Sequence, residues 1–164
     1  MSRLDSFIRR LEAQRACLDL AAREIRDVPG PVLELGLGNG RTFDHLRERL
    51  PEREIFVFER EVRAHPACIP DQAHLFLGDI HATLPDAARR LPGKAALAHS
   101  DMGTGDAAAN AELAAWLART LPGLLAAGAW VIADQPLEHP ALVRLPPPVG
   151  VAPDRYFLYR HRPS

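Results

Sequence analysis

Hydrophobic residues in the first part of the chain recur at helical spacing. Leu4, Phe7, Ile8, Leu11, Leu18, Ala22 and Ile25 fall on one face, with arginines between them. Ser2 and Asp5 precede that stripe at the three-residue spacing of a capping box. The pattern predicts a helix of about two dozen residues, stopped by Pro29-Gly30. Leu4, Phe7, Ile8 and Leu11 are expected to lie against apolar surface, so that the helix forms a packed lid.

From Val32 the periodicity changes. Residues 32–35 form a short apolar run that ends in glycines, the mark of a buried strand, and residues 41–50 read as a helix closed by Pro51. Residues 54–59, rich in aromatic and β-branched side chains, predict a second strand, and 73–77 a third that ends at Gly78-Asp79. A short helix over 85–91, a strand over 95–100, a long alanine-rich helix over 107–126 and a strand over 128–133 follow. This alternation implies right-handed crossovers and a parallel sheet covered on both faces. After Asp134 the rhythm breaks, because 135–140 is too short for a full crossover helix. A short segment at 143–145 and a last strand over 156–159 are expected, the latter antiparallel and at the edge of the sheet, carrying Tyr156 and Tyr159. The predicted fold is therefore α/β: a single doubly wound sheet, mostly parallel, with an antiparallel C-terminal strand and an N-terminal helix.

Composition narrows the partners. A length of 164 residues fits one domain, and a net charge of −1 gives no global attraction to nucleic acid or to an anionic membrane. The arginines of the first helix alternate with Asp5, Glu12, Asp19 and Glu24, which reads as a solvated face. No apolar run approaches the roughly 18 residues of a membrane helix. Met1 to Arg10 lacks the form of a signal peptide, and Cys17 and Cys68 read as reduced thiols. A cytoplasmic protein is expected.

Candidate chemistry gathers where strands end. Glu34 precedes Gly36, Gly38 and Gly40, a G-x-G-x-G run rather than the G-x-G-x-x-G of dinucleotide loops. Glu59, Asp79, Asp101 and Asp134 close the next four strands, at the edge where open α/β sheets bind ligands. A carboxylate at Glu59 can accept both hydroxyls of an adenosine ribose, which leaves two cofactors in play. The glycine spacing separates them. A dinucleotide needs its third glycine a residue later, whereas S-adenosylmethionine (SAM) has no phosphate and carries a cationic sulfonium, which Glu34 can help to hold.

These residues resemble the class I SAM-dependent methyltransferases, and among them a group of small stand-alone bacterial enzymes of unassigned substrate. Glu34, Gly36, Gly38, Asn39 and Gly40 match the first motif of that family, and Glu59 its ribose-binding acid. Asp79 is similar to the residue that meets the adenine amino group, and Ile80 to the one that frames the ring. The resemblance places Arg60, Ser100 and Asp101 beside the cofactor as well. It implies a Rossmann-like core at 30–164 behind a lid helix at 1–29, and methyl transfer to a small-molecule acceptor. With no inserted substrate domain, a homodimer is one way to complete the pocket.

A general base is needed only where the accepting oxygen or nitrogen has a proton to lose. His99, Asp101 and Asp134 are the catalytic candidates, with His81 a further residue at the rim. The histidines lack zinc spacing. Metal-dependent catechol-type methyltransferases carry an Asp after the fourth strand and Asp-Asn after the fifth. Asp101, Asp134 and Gln135 resemble that set, and offer a magnesium alternative to a metal-free site. Two other readings stand beside the main one: an NAD-type oxidoreductase, and a SAM-binding sensor or subunit without catalysis.

Overall fold

Each element has a local cause. Ser2 accepts from the Asp5 N–H and Asp5 accepts from the Ser2 N–H, so the predicted capping box starts helix α1 (Arg3–Glu24). Apolar runs form strands β1 (Val32–Leu35), β2 (Ile55–Glu59), β4 (Ala95–Ser100) and β5 (Leu125–Ala133). Helices α2 (Arg41–Arg49), α3 (Ile80–Ala87) and α4 (Ala107–Thr120) and the short β3 (Leu75–Leu77) lie between them, and β6 (Leu142–Leu145) and β7 (Phe157–His161) follow. This computed structural model describes residues 2–163.

Among the described residues the strands form one sheet in the order β3-β2-β1-β4-β5-β7-β6. β1 to β5 are parallel, and β7 runs antiparallel to both β5 and β6. Leu33, Leu35, Phe56 and Phe58 share one face with Leu84 of α3 and Leu117 of α4. Val32, Val57, Leu97 and Ile132 pack on the other against Cys17 and Leu18 of α1 and Phe43 and Leu46 of α2. Both faces are therefore dry, which is why the parallel strands read as unbroken apolar runs. The chain leaves β1 outward through β2 and β3, then returns to β4 on its other side, so a crevice opens at their carboxyl ends.

Several boundaries differ from the sequence expectation. Helix α3 begins at Ile80 rather than 85, because Asp79 accepts from the His81 N–H and caps it, while Pro85 sits inside the helix. β3 loses its first residues to a 3-10 turn, Gln72–His74, capped by Asp71. Helix α4 stops at Thr120, and Pro122 follows in a 3-10 turn, Leu121–Leu124. β5 then starts early and shifts its register against β4, with Gly128 at φ +80° where the ladder slips.

Two larger corrections concern the ends of the chain. The last strand is not an edge: β7 lies between β5 and β6, and Tyr156 and Tyr159 are buried. The first turns of α1 are not packed either. Leu4, Phe7 and Ile8 are 66%, 45% and 44% exposed, because α1 outruns the sheet and buries only the face of Ala13, Gln14, Cys17, Leu18 and Ala21.

Candidate active site

The glycine loop is shaped by its neighbours. Gly36, Gly38 and Gly40 all have positive φ, at +86°, +53° and +81°. A Cβ on Gly36 would come within 2.8 Å of Met102, and one on Gly40 within 2.6 Å of Cys68. Gly38 differs, because a Cβ there would meet no atom within 4 Å. Gly38 and Asn39 thus present main chain to open space, the close approach that a ligand needs. The Asn39 side chain accepts from the Arg41 N–H where the loop enters α2.

Glu59 closes the loop from β2. Its Oε2 accepts from the N–H groups of Leu37 and Gly38 at 2.8 and 3.0 Å, and its Oε1 from those of Arg60 and Glu61. Burial opposes the charge on Glu59, but these main-chain donors outweigh it and hold the carboxyl below its ordinary value. An ionised acceptor beside the exposed Gly38 suits ribose hydroxyls, so the residues present fit the adenosine end of SAM. Asp79 stands at the end of β3, where its carboxylate accepts from the His81 N–H, pairs with the His81 ring and binds Arg60 at 3.0 Å. These partners, His81 first, hold Asp79 below its usual value. His81 also lies 4.3 Å from the Trp116 ring, and Ile80 is half-buried against the core.

Glu34 and His99 lie beneath the loop. They are register partners on β1 and β4, both wholly buried, with His99 Nδ1 2.9 Å from Glu34 Oε2. The Thr42 hydroxyl of α2 donates to Glu34 Oε1. Burial alone would lower the proton affinity of His99, but Glu34, and then Asp101 and Asp134, overcome it and raise the pKa. Removing one member of a buried pair of this kind costs about 3–5 kcal/mol. Among the described residues, His99 Nε2 has no hydrogen-bond partner.

The far rim carries the two aspartates. Asp101 accepts from Arg10 through both oxygens, at 3.0 and 2.9 Å, and from Gln14 at 2.7 Å. Asp134 accepts from the Gly103 N–H at 2.7 Å, and a Cβ on Gly103 would collide with it. The Asp134 N–H donates to the carbonyl of buried Ser100, which sets the two strand ends side by side. Burial first, and the charge of Asp101 second, raise the pKa of Asp134. Tyr156 is buried under the same rim, and burial and Asp101 push its pKa up to about 12.

This donor set does not fit the magnesium alternative. Both oxygens of Asp101 are spanned by the Arg10 guanidinium, and one also takes the Gln14 amide, so a cation there would face the positive charge of Arg10. No group of three His, Cys, Asp or Glu side chains suited to a metal occurs among the described residues. The structure thus gathers Gly36, Gly38, Asn39, Gly40, Glu59, Arg60, Asp79 and Ile80 on one side, and Ser100, Asp101, Asp134 and Gln135 on the other. Glu34 and His99 form the floor between. Sequence reasoning missed Arg10, Gln14 and Thr42. A signal existed for Gln14, which is a polar residue in the buried stripe of α1.

Comparison with known proteins places this geometry. A family described as S-adenosyl-L-methionine methyltransferase matches residues 1–161. A crystal structure of an S-adenosyl-L-methionine methyl transferase from Silicibacter pomeroyi DSS-3 is 42% identical, covers 98% of this chain and 99% of its own, and superposes with a TM-score of 0.91. More distant structures share the fold alone. Human methyltransferase-like protein 13 in complex with S-adenosylhomocysteine (SAH) is 12% identical at TM-score 0.56, over 93% of this chain and 82% of its own. SAH-bound methyltransferase PaMTH1 of Podospora anserina is 16% identical at TM-score 0.56, over 92% and 78%. No protein of curated function matches significantly. The cofactor is therefore SAM rather than a dinucleotide, and the chain belongs to the S-adenosyl-L-methionine methyltransferase family.

Proposed function

We propose that this protein moves the methyl group of SAM to an oxygen or nitrogen of a small-molecule acceptor, with Asp134 taking the proton that the acceptor loses. The supporting observation is the unequal treatment of two adjacent carboxylates. Asp101 is matched by Arg10 and Gln14, whereas among the described residues no side-chain cation bonds Asp134. Burial beside Asp101 raises the proton affinity of Asp134. Environments that treat neighbouring carboxylates differently separate a proton acceptor from a fixed wall. His99 is wholly buried, so it serves the site from below rather than touching an acceptor.

SAM, when bound, supplies a methyl group already activated by its sulfonium. The chain then has to align the acceptor and exclude water. Asp101, pinned by α1, forms a rigid wall at the end of β4. Phe7 lies one turn before Arg10 on the same helix face, is 45% exposed, and offers an apolar surface for the body of the acceptor. The charge balance of −1 and the acid-interleaved arginines of α1 favour a small molecule over a nucleic acid.

The test is a panel of small phenols, carboxylic acids and amines, read by SAH release. For any acceptor turned over, Asp134→Asn should lower kcat by about 10²- to 10⁴-fold, with a far smaller change in SAH affinity. A kcat equal to that of the parent removes Asp134 as the base.

A further inference from the structure

We propose that Glu34 and His99 act as a positioning pair. The pair fastens the cofactor loop at both ends and ties its affinity for cofactor to the charge at the Asp101–Asp134 rim. The inference rests on the cofactor assignment and not on the identity of the acceptor. Its geometric basis is that Glu34 brackets the loop. The residue belongs to β1, the strand that leads into Gly36, and its Oε1 accepts from Thr42, which lies beyond Gly40 in the first turn of α2. One side chain thus spans the turn that meets the cofactor. The main chain of that turn is held at positive φ at three glycines, a shape that needs fixed ends.

His99 fixes Glu34 in turn. The β1–β4 register sets the two residues opposite each other, so their contact at 2.9 Å follows from sheet pairing. Neither group reaches solvent, and neither can touch an acceptor. The charged groups that act on His99 are Glu34 on β1 and Asp101 and Asp134 at the ends of β4 and β5. Arg10 of α1 and Tyr156, ahead of β7, bear on Asp101, and buried Cys17 of α1 belongs to the core cluster on the same sheet face. Negative charge at the rim favours the imidazolium, which in turn neutralises Glu34. The raised pKa means that the paired form is complete at and below the ordinary histidine value and is lost as pH rises through the folded value. Cofactor affinity should therefore weaken on the alkaline side. By reciprocity, bound cofactor should hold the proton on His99.

Titration of the whole chain with SAH by calorimetry, from about pH 6.5 to about pH 9, tests the pair. The parent is expected to bind more weakly as pH rises. His99→Gln keeps an amide donor for Glu34 but cannot ionise. It should bind about tenfold more weakly at the lower pH and lose the alkaline dependence, and adding Glu34→Gln should weaken binding no further. Thr42→Val leaves both buried partners intact and so keeps the test open if His99→Gln does not fold. It should weaken SAH several-fold and blunt the alkaline loss. Parent-like SAH affinity in Thr42→Val, or an unchanged pH dependence in His99→Gln, overturns the proposal. Failure of the parent chain to bind SAH at any pH would instead strike the cofactor assignment.

Discussion

The two sides of the crevice are made differently. On the β1–β3 side, the Glu59 carboxylate is met by four main-chain N–H groups, and Asp79 by one more at the start of α3. On the β4–β5 side, Asp101 is held by Arg10 and Gln14 from a helix far away in the chain, and a buried tyrosine lies beneath it. Main-chain donors can be supplied by almost any residue once the turn is right. Side-chain partners depend on identity at distant positions. With the crevice divided as proposed, the cofactor side can stay constant while the acceptor side is changed residue by residue, which is what a common donor with varied acceptors requires.

The largest expected effect tests whether the cofactor side really works through its main chain. Gly38→Val forces a β-branched residue to φ +53°, a strain of about 1–2 kcal/mol, yet its Cβ meets no protein atom within 4 Å. The fold should survive with a modestly lowered Tm, whereas SAH affinity should fall about 100-fold or more because the added carbons fill the ligand's approach. Circular dichroism with calorimetry would read both. If affinity falls only tenfold or less, Gly38 does not face the cofactor and the contrast between the two sides loses its basis.

The same contrast explains what could be read from sequence. β1 and β4 stood out because both their faces are buried, and Gly36, Gly38 and Gly40 because a sharp turn demands them. Asp79 was found as a strand-end acid, but its capping of α3 was not. Pro85 looked like a helix start when it was an interior residue. The Arg10–Asp101 contact crosses 91 positions and Glu34–His99 crosses 65, so no local pattern announces either. The apolar stripe of α1 was visible, but not that the helix outruns the sheet and leaves Leu4 exposed. That depends on where β4 and β5 end, which only the folded sheet defines.

A smaller effect bears on the acceptor side. The Asp134 pKa is raised by burial and by Asp101, so the native state binds its proton more tightly than the unfolded chain does. Stability from this group is present below the unfolded value near 3.8 and is lost as pH rises through the folded one. At neutral pH an ionised Asp134 thus weighs against the fold. Asp134→Asn keeps an oxygen for the Gly103 N–H and removes that charge. Its Tm should exceed the parent's by about 2 °C at neutral pH, with the gain vanishing in acid. A lower Tm at neutral pH would mean that Asp134 has a stabilising partner, and would weaken its reading as a base kept at the expense of stability.

The smallest effect expected is at Arg60, and it is the finest test of the comparison. Among the described residues, Arg60 is the one arginine on the cofactor side whose guanidinium bonds a predicted ligand residue, Asp79, at 3.0 Å. The pair is open, however, with side-chain exposures of 79% and 50%. An ion pair of that exposure contributes little to stability, and less in salt. Asp79 keeps its place without Arg60, because the His81 N–H and ring hold the other carboxylate oxygen. What Arg60 supplies to the site is its main-chain N–H on Glu59, and glutamine supplies the same group. Arg60→Gln should therefore shift Tm by less than about 2 °C and SAH affinity by less than about threefold, at low and high salt alike. A loss of tenfold or more would make the guanidinium itself a cofactor ligand. The cofactor side would then depend on side-chain identity as the acceptor side does, and the division between them would no longer follow the division between main chain and side chain.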